Sequence, residues 1–207
     1  MSIVKLNNRG VRSATAFGSI SSLGNVVFIK KLTASSSSTL SFVDGTSSVV
    51  LDNTYKEYIF TFKDIHPQTD NTGFMFNLST DSGSNYNVTK TTSYHRAYHY
   101  ENDSAAVHGY HTGSDLAQST GEQILLNGAM STDNDHCLVG FIHIFEPSST
   151  VFVKHFISTI QMVSDQNYSY NAFIAGYGNT TSAIDAIRFK MSSGNIDSGT
   201  FKLYGVS

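Results

Sequence analysis

Aromatic and polar residues alternate along two neighbouring runs, Tyr55–Lys63 and Phe74–Ser79. In the first, Tyr58, Phe60 and Phe62 fall on one side and Ile59, Thr61 and Lys63 on the other. In the second, Phe74, Phe76 and Leu78 alternate with Met75, Asn77 and Ser79. A period of two with aromatics on one side marks a strand that buries one face. The connector Asp64–Gly73 is polar and carries Pro67 and Gly73, which end the pattern. The two runs are predicted to pair as antiparallel strands.

The same style continues along most of the chain. Val26–Thr33 is a short apolar run, Leu40 and Phe42 begin an alternation, and Asp44-Gly45 signals a turn. Val88–Tyr100 reads as a strand. Glu101–Gly121 is the longest polar stretch, of a length that often carries function. Cys137–Phe145 is apolar on both parities, which predicts a strand covered on both faces or a subunit contact. Glu146-Pro147-Ser148-Ser149 is a tight turn, and Val151–Met162 is its hairpin partner. Tyr168–Tyr177 and Ile184–Met191 follow, the latter with Ile187, Phe189 and Met191 inward and Arg188 and Lys190 outward. Gly199–Val206 closes the chain. No segment carries a sustained helical period with caps. The prediction is an all-β, jelly-roll-like antiparallel sandwich over residues 26–207.

Residues 1–25 break the style. Val4, Leu6 and Val11 are scattered among Lys5, Asn7, Asn8, Arg9 and Arg12, and a Ser- and Gly-rich stretch around Phe17 follows. This reads as an extended arm, with Val4, Leu6, Arg9, Val11, Arg12 and Phe17 as its anchors to a neighbouring subunit. The plainer reading is a loose tail.

Ser79-Thr80-Asp81-Ser82-Gly83-Ser84-Asn85-Tyr86 fits the Asp-box hairpin pattern. Asp81 is expected to accept bonds from turn amides, Gly83 to supply a positive φ, and Tyr86 to cover the turn. It is a structural device with no catalytic role.

Composition narrows the function. Charged residues are 14% of the chain, against about 25% in an average soluble domain, so Ser, Thr, Asn and Gly carry the solubility. That suits an assembled β protein. The formal charge of -3 and the lack of a basic block argue against nucleic-acid binding. A single Cys137 excludes an intrachain disulfide. No apolar run of secretory-signal or membrane-span type appears, so membrane insertion is not expected.

Candidate chemistry is sparse. His95 and His99 lie four residues apart, about 13 Å on a strand, too far to chelate one ion alone. His108 and His111 sit nearby, and a metal site would need Asp103 or His136 as well. No metal or cofactor is expected. His143 and His155 are placed to face each other across the predicted hairpin, either as a buried neutral pair or as a pH-responsive contact. No nucleophile elbow, phosphate loop or dinucleotide fingerprint is present. Glu101, Asp103, Asp115 and Glu122 share the central region, and a glycosidase pair among them depends on space rather than spacing. The chain reads as non-enzymatic. Tyr94, Tyr98, Tyr100 and Tyr110, beside polar Asn, Asp and His, suggest a glycan-binding surface; the plain alternative is subunit packing or cross-strand pairing.

Three blocks carry a resemblance. They are Lys5-Leu6-Asn7-Asn8-Arg9-Gly10, the strand Tyr55–Phe62 with Ile65-His66-Pro67 after it, and Phe189-Lys190-Met191-Ser192-Ser193-Gly194-Asn195-Ile196. Ser82–Asn87 and Phe145–Thr150 add to them. Nearly end to end, the chain resembles virion structural proteins of tailed phages that infect marine cyanobacteria and other marine bacteria. The resemblance implies a β-rich virion protein of the tail or fibre, or of the capsid surface. It would be made in the host bacterial cytoplasm and would contact copies of itself, as a trimer by analogy with phage fibres, and other virion proteins. It carries over no active-site residue. A host-glycan receptor module is the alternative function, and a polysaccharide depolymerase a third.

Overall fold

The computed structural model describes residues 25–207, all strand, turn and loop. Twelve strands follow in chain order: β1 Val26–Ser37, β2 Leu40–Val43, β3 Glu57–Pro67, β4 Thr72–Ser79, β5 Lys90–Tyr100 and β6 Ala106–Tyr110, then β7 Gln123–Met130, β8 Leu138–Phe145, β9 Lys154–Val163, β10 Tyr168–Gly178, β11 Ala186–Met191 and β12 Ile196–Val206. The arm residues Val4, Leu6, Arg9, Val11, Arg12 and Phe17 lie outside the described residues.

The strands form two antiparallel sheets. One has eight strands in the order β1-β12-β3-β8-β9-β10-β5-β6, the other four in the order β2-β11-β4-β7. The half β1-β12-β3-β8 facing β2-β11-β4-β7 has jelly-roll winding, in which the chain passes repeatedly from one sheet to the other and its first and last strands become neighbours. The β9–β10 hairpin and then β5 and β6 extend the larger sheet beyond that unit.

Alternation correctly identifies the buried face of most strands. Tyr58, Phe60 and Phe62, Phe74, Phe76 and Leu78, and Ile187, Phe189 and Met191 are all buried. Phe189 is the hub. Its ring lies 5.0 Å from that of Phe62, 5.6 Å from Phe201 and 5.9 Å from Phe74. These contacts join β11 and β4 of the small sheet to β3 and β12 of the large one. Such edge and offset contacts add to the burial of large apolar rings.

Two expectations need correction. The runs around Phe60 and Phe76 do not pair with each other: β3 pairs with β12 and β8, and β4 with β11 and β7. They face each other across the core instead. The link Gln68–Asn71 turns the chain from sheet to sheet, held by Asp70, whose carboxylate accepts from the Thr132 amide and hydroxyl. The polar stretch 101–121 is not wholly irregular either, because β6 lies within it and pairs with β5.

The β8–β9 hairpin forms as expected, with Phe141 opposite Thr159 and Ile142 opposite Ser158. Glycine is required at position 205, where an added Cβ would fall 2.2 Å from the Tyr55 ring.

Candidate functional site

The outer face of the eight-stranded sheet is apolar at its centre. Residues directly opposite in an antiparallel pair share a face, so the register gives continuous rows across it. One row runs Ile59, His143, Ile157, Ala175, Ser93. The next runs Thr61, Phe141, Thr159, Phe173, His95, Tyr110. A third runs Val139, Gln161, Asn171, Ala97, His108. Ile157 is 50% exposed, Phe173 51% and Phe141 39%. None of these row residues is Lys, Arg, Asp or Glu; beyond β3 the second row continues from Thr61 to Lys202 on β12 and Lys31 on β1. Charge gathers at the margin, where Glu57 Oε2 lies 2.9 Å from His143 Nε2.

This face explains the double apolar parity of β8. Ile142 and Ile144 bury into the core, while Val139 and Phe141 stand exposed. Among the described residues, nothing covers this second face of the strand. Large exposed apolar patches of this kind mark contact sites.

The proposed tyrosine surface divides. Tyr94 is fully buried, and its hydroxyl meets that of Tyr170 at 3.3 Å. Burial pushes the Tyr94 hydroxyl pKa well above its ordinary value. Tyr94 therefore belongs to the core and not to a ligand surface. Tyr98 and Tyr100 are half-buried and pack with Tyr168, at 5.1 and 5.0 Å between ring centres. Arg96 lies over the Tyr98 ring at 5.5 Å. Tyr110 alone of the four is exposed; its ring meets His95 edge-on at 5.1 Å and its hydroxyl donates to Asp115. Parity accounts for the split: Tyr94, Tyr98 and Tyr100 share the inner face of β5, whereas Tyr110 pairs with His95 on the outer face.

The histidines do not collect. His99 Nε2 contacts Asp103 Oδ1 at 2.9 Å, and His111 Nδ1 meets Ser114 Oγ at 2.8 Å. His143 sits opposite Ile157 and stacks on Phe145, while His155 sits opposite Tyr177. The expected face-to-face His143–His155 pair is therefore absent, because the hairpin register sets each histidine against a different residue. Among the described residues, no three His, Cys, Asp or Glu side chains gather to hold a metal ion.

The carboxylates of the central region also take separate partners. Asp103 contacts His99, Asp115 accepts from Tyr110, and Glu122 pairs with Arg188. The Asp-box turn forms as its residues dictate. Asp81 accepts from the Asn85 amide at 2.8 Å, from Asn85 Nδ2 at 2.7 Å and from the Ser79 hydroxyl at 2.8 Å. These bonds hold its carboxyl below the ordinary 3.8. Gly83 has φ +77°, and the Tyr86 hydroxyl closes over it.

Comparison with known proteins finds no matching family model, curated protein or solved structure. No helix of the described residues is long and apolar enough to cross a membrane.

Proposed function

We propose that this chain is a non-enzymatic structural protein of a phage particle, at the tail or on the capsid surface. In this reading it assembles with copies of itself through the outer face of the eight-stranded sheet and through its leading segment. The observation that carries the reading is the run of exposed Phe141, Ile157 and Phe173 on three adjacent strands. Burying such side chains is favourable by about 25 cal/mol per Å² of apolar area.

The occupant favoured is a second copy. The outer positions of β8, β9 and β10 hold no Lys, Arg, Asp or Glu, and Lys202 and Lys31 lie to one side on β12 and β1. Two copies that meet over β8–β10 therefore bring no like charges together at the centre of the contact. The low overall charge and the resemblance to tailed-phage virion proteins support the same reading. Residues 1–24 precede β1, an edge strand of that sheet whose outer backbone edge has no partner strand among the described residues, and this supports a docking role for the leading segment.

The test is assembly. A protein lacking residues 1–24 is expected to keep its sandwich but fail to enter particles. Normal incorporation of the truncated chain would remove the arm from the proposal. Release of reducing sugar from host surface polymer would overturn its non-enzymatic part.

A second reading rests on Tyr110. It is exposed beside a shallow depression of about 360 Å³ lined by Ala97, His99, Val107, His108 and Asn171. An exposed aromatic next to amide and imidazole groups suits a host glycan. Binding on a glycan array that is lost in Tyr110→Ala would favour this reading, and an empty array would remove it.

A further inference from the structure

The sandwich interior holds a lysine. Lys90, the first residue of β5, is fully buried, and its Nζ donates to Asn77 Oδ1 at 2.5 Å and to the Val88 carbonyl at 2.8 Å. Asn77 on β4 is also buried. Its amide orientation is set by its partners: Nδ2 donates to the carbonyls of Tyr86 at 2.7 Å and Thr120 at 3.1 Å, while Oδ1 accepts from the Leu78 amide at 2.9 Å. Glu122, whose charge acts on Lys90, pairs through Oε1 with Arg188, whose guanidinium lies 4.4 Å from the centre of the Tyr86 ring. Glu122 Oε2 is buried and has no hydrogen-bond partner among the described residues.

A buried lysine is costly unless a need accounts for it. One carbonyl bond beyond Oδ1 lies the amide carbon. Lys90 Nζ is therefore no more than about 3.7 Å from Asn77 Cγ, near the range of a poised nucleophile. Both side chains are buried, which leaves bulk water little access to compete as a nucleophile.

We propose that Lys90 and Asn77 become joined by an intramolecular amide bond, with Glu122 carrying the proton between the two nitrogens. The neutral Lys90 amine attacks Asn77 Cγ, and the carbonyl electron pair moves to Oδ1, which the Leu78 N–H already holds. Glu122 Oε2 takes a proton from Nζ and delivers it to Nδ2. The Cγ–Nδ2 bond then breaks and ammonia leaves. The product is a secondary amide between Nζ and Cγ, and Glu122 ends as it began. No oxidant, metal or second substrate is needed.

Burial supports the first step. It lowers the Lys90 pKa to about 8, an effect the Glu122 charge partly opposes. Roughly a tenth of the amine is then neutral at pH 7, far more than for a free lysine. The bond would tie β4 of the small sheet to β5 of the large one. It would leave Arg188 paired with Glu122 and remove the titrating amine from the core.

Intact-mass spectrometry of the purified, folded chain decides the matter. The expected mass is below the sequence mass by one ammonia. Trypsin should fail to cut after Lys90 and release residues 64–96 as one peptide lacking that ammonia. Lys90→Met, Asn77→Ala and Glu122→Gln should each restore the sequence mass. A wild-type chain at full mass, cut after Lys90, overturns the proposal whether or not the variants fold. Ammonia loss placed by fragmentation elsewhere, such as at Asn127-Gly128, overturns it equally. A Glu122→Gln chain that still cross-links removes Glu122 from the step.

Discussion

Phe62 and Phe74 meet edge to face, with ring centres 5.2 Å apart, although their strands belong to different sheets. Their alternating neighbours look alike in the sequence and suggest adjacent strands. The contact instead spans the core. Around this contact the layer between the sheets is a cluster of aromatic rings, with Phe189 at its centre.

Phe189→Ala removes the ring that touches Phe42, Phe60, Phe62, Phe74, Phe76 and Phe201. The expected loss is about 3–5 kcal/mol of stability, since neighbours drawn from both sheets cannot all collapse into the space. Urea denaturation would measure it. A loss under about 1 kcal/mol would show that the hub role is wrong.

Ile157→Glu places a charge at the centre of the exposed outer face. Stability should change by no more than about 0.5 kcal/mol, as for other surface positions. Self-association should fall sharply. Sedimentation velocity on wild type and variant reads the difference, and equal oligomeric states would exclude this face as the contact.

Asp81→Asn should lower the melting temperature at neutral pH. The Asp81 carboxyl is held below the ordinary 3.8 by bonds from Asn85 and Ser79. Its contribution is thus fully present above the unfolded value and fades as pH falls through the folded value. The gap between wild type and variant should close in strong acid. Melting curves taken down the pH scale test this, and a gap independent of pH would mean the turn does not rely on the charge.

Gly205→Ala should destabilise by about 1–3 kcal/mol, because its new methyl group would meet the Tyr55 ring at 2.2 Å. Combining it with Tyr55→Ala should cost less than the two changes added together. Simple additivity in denaturation would indicate that the ring moves away freely.

Much of the fold was legible because a strand's side-chain period is two. Tyr58, Phe60 and Phe62 had to share a face whatever lay opposite them. The Asp box was legible for a similar reason: Asp81, Gly83 and Tyr86 act within a single turn. The site was harder to read. Tyr94 and Tyr110 looked equivalent, yet one is core and the other exposed, because the side of the sheet each strand turns inward depends on distant segments. The set of Asn77, Lys90, Glu122 and Arg188 gave no local signal, since its members come from different strands and a connecting loop.

Local backbone geometry and side-chain chemistry thus determined by themselves that this protein is made of half-buried strands joined by polar turns. Only the tertiary structure decided which strands became neighbours, which face stayed open, and that a lysine amine came to rest against an asparagine amide. Those outcomes depend on pairing and packing between residues far apart in the chain, where loop closure and the shared core, rather than sequence period, set the energy.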